Sequence, residues 1–291
     1  MTAVDVRPLD GVGAEIHGVD IARGLSNTEF DAIHKAFSDH GLIFFRDQSI
    51  SEQDHINLAR KFGEIDINRF FAAHPDYPEI AMVSKDVDQK DNIGGGWHTD
   101  HSYDQDPAMG SILVARELPQ TGGDTMFASM YAAYDGLSDG FKKMLGSLSA
   151  VHSAAHIFGT APDTHYNQTD AAALDHESKN DGRIQNADVA DAMPEVIHPV
   201  IVTHPLSGKK ALYVNPAFTV RFEGWTEEES RPLMQQLFAQ CARPEYTHRF
   251  VWKPGSIAFW DNRATWHWAL NDYNGQRRVM HRITVQGCPL T

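Results

Sequence analysis

Cysteine is almost absent from this 291-residue chain, which carries only Cys241 and Cys288. Two thiols exclude a disulfide framework and fit a reducing compartment. Long apolar runs are also missing, so no transmembrane helix is expected. No early stretch has the apolar character of a secretory signal, and a cytoplasmic location is the expectation. Positive charge is scarce: 25 lysines and arginines face 39 acidic residues, leaving a formal net charge of −14. That balance argues against nucleic acid or an anionic membrane as partner. A few focused arginines can still hold a small anion. No repeat, linker or compositional break divides the sequence, so one domain over residues 1–291 is expected, large enough to bury a full core unaided.

What is present reads as mainly β with flanking helices. Residues Val6 to Gly24 suggest a turn-rich strand pair. Ser26 to Glu29 fit a capping box, Phe30, Ile33 and Phe37 share one helical face, and Gly41 sits where that helix would end. Leu42 to Phe45 read as a buried strand. Ser51 opens a second helix that Gly63 closes. Further strands are expected at Ile80–Ser84, Ser111–Ala115, Val196–Val202, Ala211–Val214, Val251–Trp252, Ile257–Trp260 and His281–Val285. Ser138 to Leu148 read as a short helix. Thr226 and Glu229 form a capping box for another helix, in which Pro232 leaves the register open. Residues 160–193 are polar, with few branched apolar side chains, and are expected to form a lid insertion. Many short strands, few helices and no βαβ rhythm predict a double-stranded β-helix, a jelly-roll core.

The chemistry centres on Trp97-His98-Thr99-Asp100-His101-Ser102-Tyr103. On a strand, His98 and Asp100 would project to one face and Thr99 and His101 to the other. An imidazole and a carboxylate so placed are half of a metal site, and His267 is the candidate third ligand. Two histidines and a carboxylate on one face of a metal form the facial triad of non-haem Fe(II) oxygenases. His-x-Asp alone is weak in a chain with 16 histidines. Read blandly, His98 is a hydrogen-bonded core histidine, Asp100 a turn cap, and His267 a ring packed between Trp266 and Trp268. An Asn274-Gly275 turn is expected to return the chain as a hairpin partner of the His267 strand. Arg278 would then face the same cavity, and Arg282 would share its side of the strand. Arginine suits two-pronged binding of a carboxylate.

The ordered set Trp97-His98-Thr99-Asp100, Gly122-Gly123-Asp124-Thr125, Trp260-Asp261-Asn262-Arg263 with His267, and Gln276 to Arg282 resembles the taurine dioxygenase (TauD/TfdA-type) family over nearly the whole chain. The resemblance implies Fe(II) as cofactor, with 2-oxoglutarate and O₂ as co-substrates. It implies His98, Asp100 and His267 as iron ligands, and Arg278 with Thr125 on the distal carboxylate of 2-oxoglutarate. Arg282 matches the position that binds the substrate's anionic end, and Phe218 matches an aromatic of the substrate pocket. The primary-substrate set departs from taurine dioxygenase: Asn68 and Phe71 stand where that enzyme has a histidine and a tyrosine, and Gly94 replaces an asparagine. The pattern at Val151 to Ala154 and Phe158-Gly159 is shared with aryloxyalkanoate dioxygenases. The expected activity is hydroxylation of a small anionic organic molecule, an aryloxyalkanoate, sulfonate or sulfate ester, in a dimer or tetramer. Taurine dioxygenase proper is the alternative within the family. Outside it, the triad could hold zinc in a hydrolase, which would leave Arg278 and Thr125 without a role, or the fold could be a non-catalytic binder of small anions.

Overall fold

The computed structural model describes residues 4–160, 183 and 185–291. Its largest sheet has eight strands. From one edge these are Asp5–Pro8, Ala14–His17, Leu42–Phe45, Ile257–Asp261, Gly110–Glu117 and Arg278–Val285. Ala81–Lys85 and Ile65–Asp66 share the far edge of the last. A smaller sheet, Thr247–Phe250, Thr125–Ser129 and Thr265–Ala269, faces it. Pairing is antiparallel except between Ala14–His17 and Leu42–Phe45. The sheets do not close into one hydrogen-bonded barrel among the described residues.

Period-two alternation splits the large sheet's side chains between two cores. Leu42, Phe44, Leu113, Ala258, Trp260 and Met280 face inward and meet Phe127 and Phe250 of the small sheet. Ile43, Phe45, Ile112, Ile257, Phe259 and Ile283 face outward and are covered by two helices. Phe37 stacks on Phe259 at 4.1 Å. Each such fully buried phenylalanine contributes about 1.5–3 kcal/mol relative to exposure.

Those helices begin and end where their caps dictate. Asn27–His40 starts at Ser26, with both arms of the capping box formed, and ends at Gly41 with φ 68°. Glu52–Phe62 repeats the device with Ser51 and Asp54. Each N-cap is worth roughly 1 kcal/mol. Glu227–Cys241 is likewise boxed by Thr226 and Glu229. It tolerates Pro232 because that position is exposed, so the carbonyl left without a donor meets water.

Three expectations are corrected. Trp97 to Tyr103 is not a strand: His98 makes a single bridge to His267, and the chain then turns, with His101 at φ 61°. The segment after His267 is not a hairpin either. Thr265–Ala269 pairs in the small sheet and Arg278–Val285 in the large one, so the Asn274-Gly275 region carries the chain between sheets. Val251-Trp252 follows a strand rather than forming one, because the ladder to Thr125–Ser129 ends at Phe250. Most of the expected lid, residues 161–182 and 184, lies outside the described residues. Among the described residues no helix is long and apolar enough to cross a membrane.

Candidate metal and 2-oxoglutarate site

His267 lies on the small sheet's strand, where alternation sends Trp266 to bond Val214 O at 2.9 Å and turns His267 toward Trp260. His98 is fixed against it by a reciprocal backbone pair, His98 N to His267 O at 3.1 Å and His267 N to His98 O at 2.8 Å. Between the motif's two key residues, Thr99 Oγ1 donates to Asn262 O at 2.6 Å and pins the loop to the Trp260–Arg263 turn. Asp261 and Arg263 hold that turn rigid through a buried ion pair, and His204 joins Asp261 at 2.9 Å. Asp100 thus reaches the site from a turn instead of a strand.

The His98 Nδ1 lies 2.8 Å from Gly96 O, so it donates and leaves Nε2 with its lone pair free. Nε2 of His98 is 3.9 Å from Asp100 Oδ1, and Nε2 of His267 is 3.8 Å from Asp100 Oδ2. These separations are too long for hydrogen bonds. The three donor atoms nevertheless lie within 4.8 Å of one another, near enough for one ion to touch all three. Burial pushes both imidazoles down, so near pH 7 they are neutral and could each offer a lone pair to a metal. Burial would raise the Asp100 carboxyl, but the charge of Arg282 outweighs it and holds it below the usual carboxylate range. Arg282 Nη1 donates to Asp100 at 3.1 and 3.2 Å, and Ser111 Oγ donates to Oδ2 at 3.1 Å. Such a neutral, neutral, anionic set fits a divalent ion. Gly94 permits it locally: its φ is 78°, and a Cβ there would sit 3.1 Å from His98 Cε1.

Two other histidine–carboxylate groups occur among the described residues. In Glu52–His74–His281, Arg116 Nε already donates to His281 Nδ1 at 3.1 Å. In Asp66–His101–Asp104, Asp104 is bound by both His101 and Arg69.

Arg278, Met280 and Arg282 share the inward face of their strand, while His281 points outward at Arg116 and Glu52. Arg278 is 4% exposed, and its Nε and Nη2 have no hydrogen-bond partner. A buried guanidinium with two unmet donors is costly unless an anion joins it. Its cradle is the Trp252 indole, 5.9 Å from Cζ, and the Gly123 backbone, where a Cβ would lie 3.2 Å from Cδ. The indole Nε1 donates to Thr125 Oγ1 at 2.9 Å, leaving that hydroxyl's proton free for a ligand. Trp252 thereby links Thr125 to Arg278, a role that its sequence position did not signal. Ser111 is the other residue missed: a serine in an apolar strand looks like filler until its partner is known.

The substrate candidates fall into two settings. Arg282 lies over the Phe71 ring at 4.6 Å. Asn68 Oδ1 accepts from the backbone of Phe70 and Phe71, each at 2.9 Å, and so orients Phe71. Phe158 spans from Phe71, at 6.3 Å, to Phe218, at 5.7 Å, and Phe218 packs on Tyr103 at 4.7 Å. Gly94 stands against His98, as described above.

Comparison with known proteins agrees with this arrangement. The family model described as "Taurine catabolism dioxygenase TauD, TfdA family" matches residues 5–284. The alpha-ketoglutarate-dependent sulfate ester dioxygenase of Pseudomonas putida is 33% identical, over 98% of this chain and 90% of its own. The alpha-ketoglutarate-dependent 2,4-dichlorophenoxyacetate dioxygenase of Burkholderia sp. (strain RASC) is 30% identical, over 94% and 91%. A solved taurine dioxygenase from Burkholderia xenovorans superposes with a TM-score of 0.78 at 30% identity, covering 100% of this chain and 91% of that one. With its jelly-roll core, the chain belongs to the TauD/TfdA family and is an Fe(II)- and 2-oxoglutarate-dependent dioxygenase.

Proposed function

We propose that this enzyme hydroxylates a small organic anion with a sizeable apolar body, a sulfate ester, aryloxyalkanoate or sulfonate, and that it does so as one domain over residues 1–291. His98, Asp100 and His267 would hold Fe(II). Arg278 and Thr125 would hold the distal carboxylate of 2-oxoglutarate, Arg282 the anionic group of the substrate, and Phe71 and Phe218 its apolar part. Asn68 and Gly94 would act through Phe71 and His98. The observation that carries the reading is the clustering of three ligand-capable atoms, from His98, Asp100 and His267, together with a buried, unpartnered Arg278 on the strand that also carries Arg282. Bound iron, with 2-oxoglutarate and O₂, supplies the oxidising power, and succinate and CO₂ are the co-products.

The chain's own residues bind, orient and keep the site dry. Arg278 fixes one end of the co-substrate. Trp252 holds Thr125 at the other side of the same carboxylate. Arg282 sets the distance from the substrate's anionic group to the centre, which selects the carbon that reacts. Where that carbon bears an ester oxygen or sulfur, the hydroxylated product collapses and the C–O or C–S bond breaks. Of the proteins named above, two act on a sulfate ester and on an aryloxyacetate and one is a taurine dioxygenase, so the preference for an apolar anion over taurine rests on the aromatic lining at Phe71 and Phe218. A cytoplasmic dimer or tetramer, without nucleic-acid or membrane partners, completes the proposal.

Succinate release across matched alkyl and aryl sulfates, aryloxyalkanoates, sulfonates and taurine tests it, with Arg282→Ala as control. Apolar anions should give the higher kcat/KM. Taurine emerging as the best substrate would overturn the pocket argument. Neutral compounds turned over equally by both proteins would overturn the anion argument.

A further inference from the structure

Arg282 contacts two different things at once. Its Nη1 donates to both oxygens of Asp100, at 3.2 and 3.1 Å, and its Cζ lies 4.6 Å from the Phe71 ring. Its Nε is buried without a partner. On its strand it sits opposite Leu113, two residues from Ser111, which donates to the same carboxylate at 3.1 Å. The guanidinium is therefore buried among apolar and neutral groups, with Asp100 as its counter-charge.

A buried cation needs an anion, and removing its partner is strongly unfavourable. The ion pair with Asp100 meets that need. A divalent ion on His98, Asp100 and His267 would compete for the same carboxylate and add its own charge beside Arg282. The guanidinium would then be short of negative charge, and a second anion next to it would be favoured. We propose that Arg282 is a shared counter-ion coupling the two sites: metal loading releases it toward the substrate's anionic group, and that anion in turn tightens metal binding. The inference rests on the roles assigned above to the triad and to Arg282. It implies an order in which the metal-free protein is a poor receptor for the substrate. Coupling of this kind is reciprocal, so each ligand must change the other's affinity by the same factor.

The sign of one effect separates this from a purely orienting role. If Arg282 merely aimed Asp100, its loss would weaken metal binding. If it competes with the metal for Asp100, Arg282→Gln must strengthen metal binding. Ser111→Ala provides the contrast, because its hydroxyl orients Asp100 without adding charge, and its loss should weaken the metal several-fold.

The experiment is calorimetric titration of metal-free protein with Zn(II), a redox-inert probe, and with hexyl sulfate. No 2-oxoglutarate is present, so nothing turns over. Wild type should bind hexyl sulfate on the order of tenfold more tightly with Zn(II) than without it. Arg282→Gln should bind Zn(II) more tightly than wild type and lose the dependence on hexyl sulfate, which Ser111→Ala should retain. Weaker Zn(II) binding by a folded Arg282→Gln protein would overturn the proposal. So would equal hexyl sulfate affinity of wild type in the two metal states, or no binding in either. Should Arg282→Gln fail to fold, the wild-type titrations decide alone. Succinate release from an anionic substrate, alongside equal affinities in the two states, would leave the proposed function standing and remove only the coupling.

Discussion

Replacing Arg278 by glutamine tests the 2-oxoglutarate site most directly. The side chain is 4% exposed, and Nε and Nη2 are buried with no partner. In the complex these two donors would make a charge-assisted, two-pronged contact. Truncating one member of a buried charge pair costs on the order of 2–5 kcal/mol, much of it from the stranded partner. Since about 1.4 kcal/mol is tenfold, the apparent KM for 2-oxoglutarate should rise by a factor of at least ~25. Arg277 provides an internal control. It is 46% exposed and pairs with Asp86 and Glu117. Exposed pairs are worth about 0.2–1 kcal/mol, so Arg277→Gln should leave that KM within a fewfold of wild type. The assay is succinate release against 2-oxoglutarate concentration at saturating substrate. Thermal unfolding of the metal-free proteins adds a second readout of opposite sign. Because the unpartnered guanidinium is a cost to the free protein, Arg278→Gln should unfold no lower than wild type, whereas a residue needed for packing would unfold lower. Equal KM effects at positions 277 and 278 would refute the assigned faces of this strand. An unchanged KM in Arg278→Gln would refute the anion site.

Anaerobic addition of Fe(II) and 2-oxoglutarate should give the weak visible absorption of a chelate, and His98→Ala or His267→Ala should each abolish it; a band that survives in both variants removes this triad. A third prediction concerns acid stability. His55 is fully buried and pushed down to about 3 by burial, with Arg116 and His281 adding to the effect. Its folded value lies below its unfolded one, so the unfolded chain binds the extra proton between about pH 3 and 6.5. Stability is complete above that window and falls as the pH drops through it, by at most about 1.4 kcal/mol per pH unit for this group. Urea unfolding from pH 7 to 4 should show a shallower decline in His55→Met than in wild type, and parallel curves would contradict the assignment.

Helix caps were legible in the sequence, whereas sheet partners were not. Ser26, Ser51 and Thr226 announced their helices because a cap needs only residues three positions away. Trp97 to Tyr103 looked like a strand because His98 and Asp100 stand two residues apart, the spacing that shares one face of a strand. What prevents a strand is remote: Thr99 bonds Asn262 O, and His101 adopts a left-handed φ that histidine tolerates better than most residues. The Asn274-Gly275 turn suggested a hairpin, but turn chemistry does not reveal which sheet receives the next strand. The helix Met130–Asp135 escaped notice, since six residues with only two small alanines inside an aromatic run carry little periodicity. The candidate triad, whose donor atoms cluster, and Arg278, which is buried without a partner, were named through motif order. Ser111 and Trp252 were not, because each acts on another residue's atoms across the fold.

Charge balance ties the pieces together and bears on the substrate. Among the described residues, Asp100, Arg278 and Arg282 are the buried charges assigned to the proposed centre, and Asp124 nearby is matched by Arg249. The two arginines exceed the one carboxylate by a single positive charge, and a divalent ion raises the excess to three. A dry interior does not tolerate that excess without compensating anions. The 2-oxoglutarate dianion removes two of the three, and a substrate with one negative charge removes the last. Taurine meets the requirement at its sulfonate but brings an ammonium group of its own, which the Phe71–Phe158–Phe218 aromatic run does not neutralise. A singly charged sulfate ester or aryloxyalkanoate leaves no such remainder. The same count bears on the coupling proposed for Arg282, which pairs with Asp100. One carboxylate serves both Arg282 and the proposed metal site, so a metal that draws on it would turn the ion pair into a receptor for the substrate's anion.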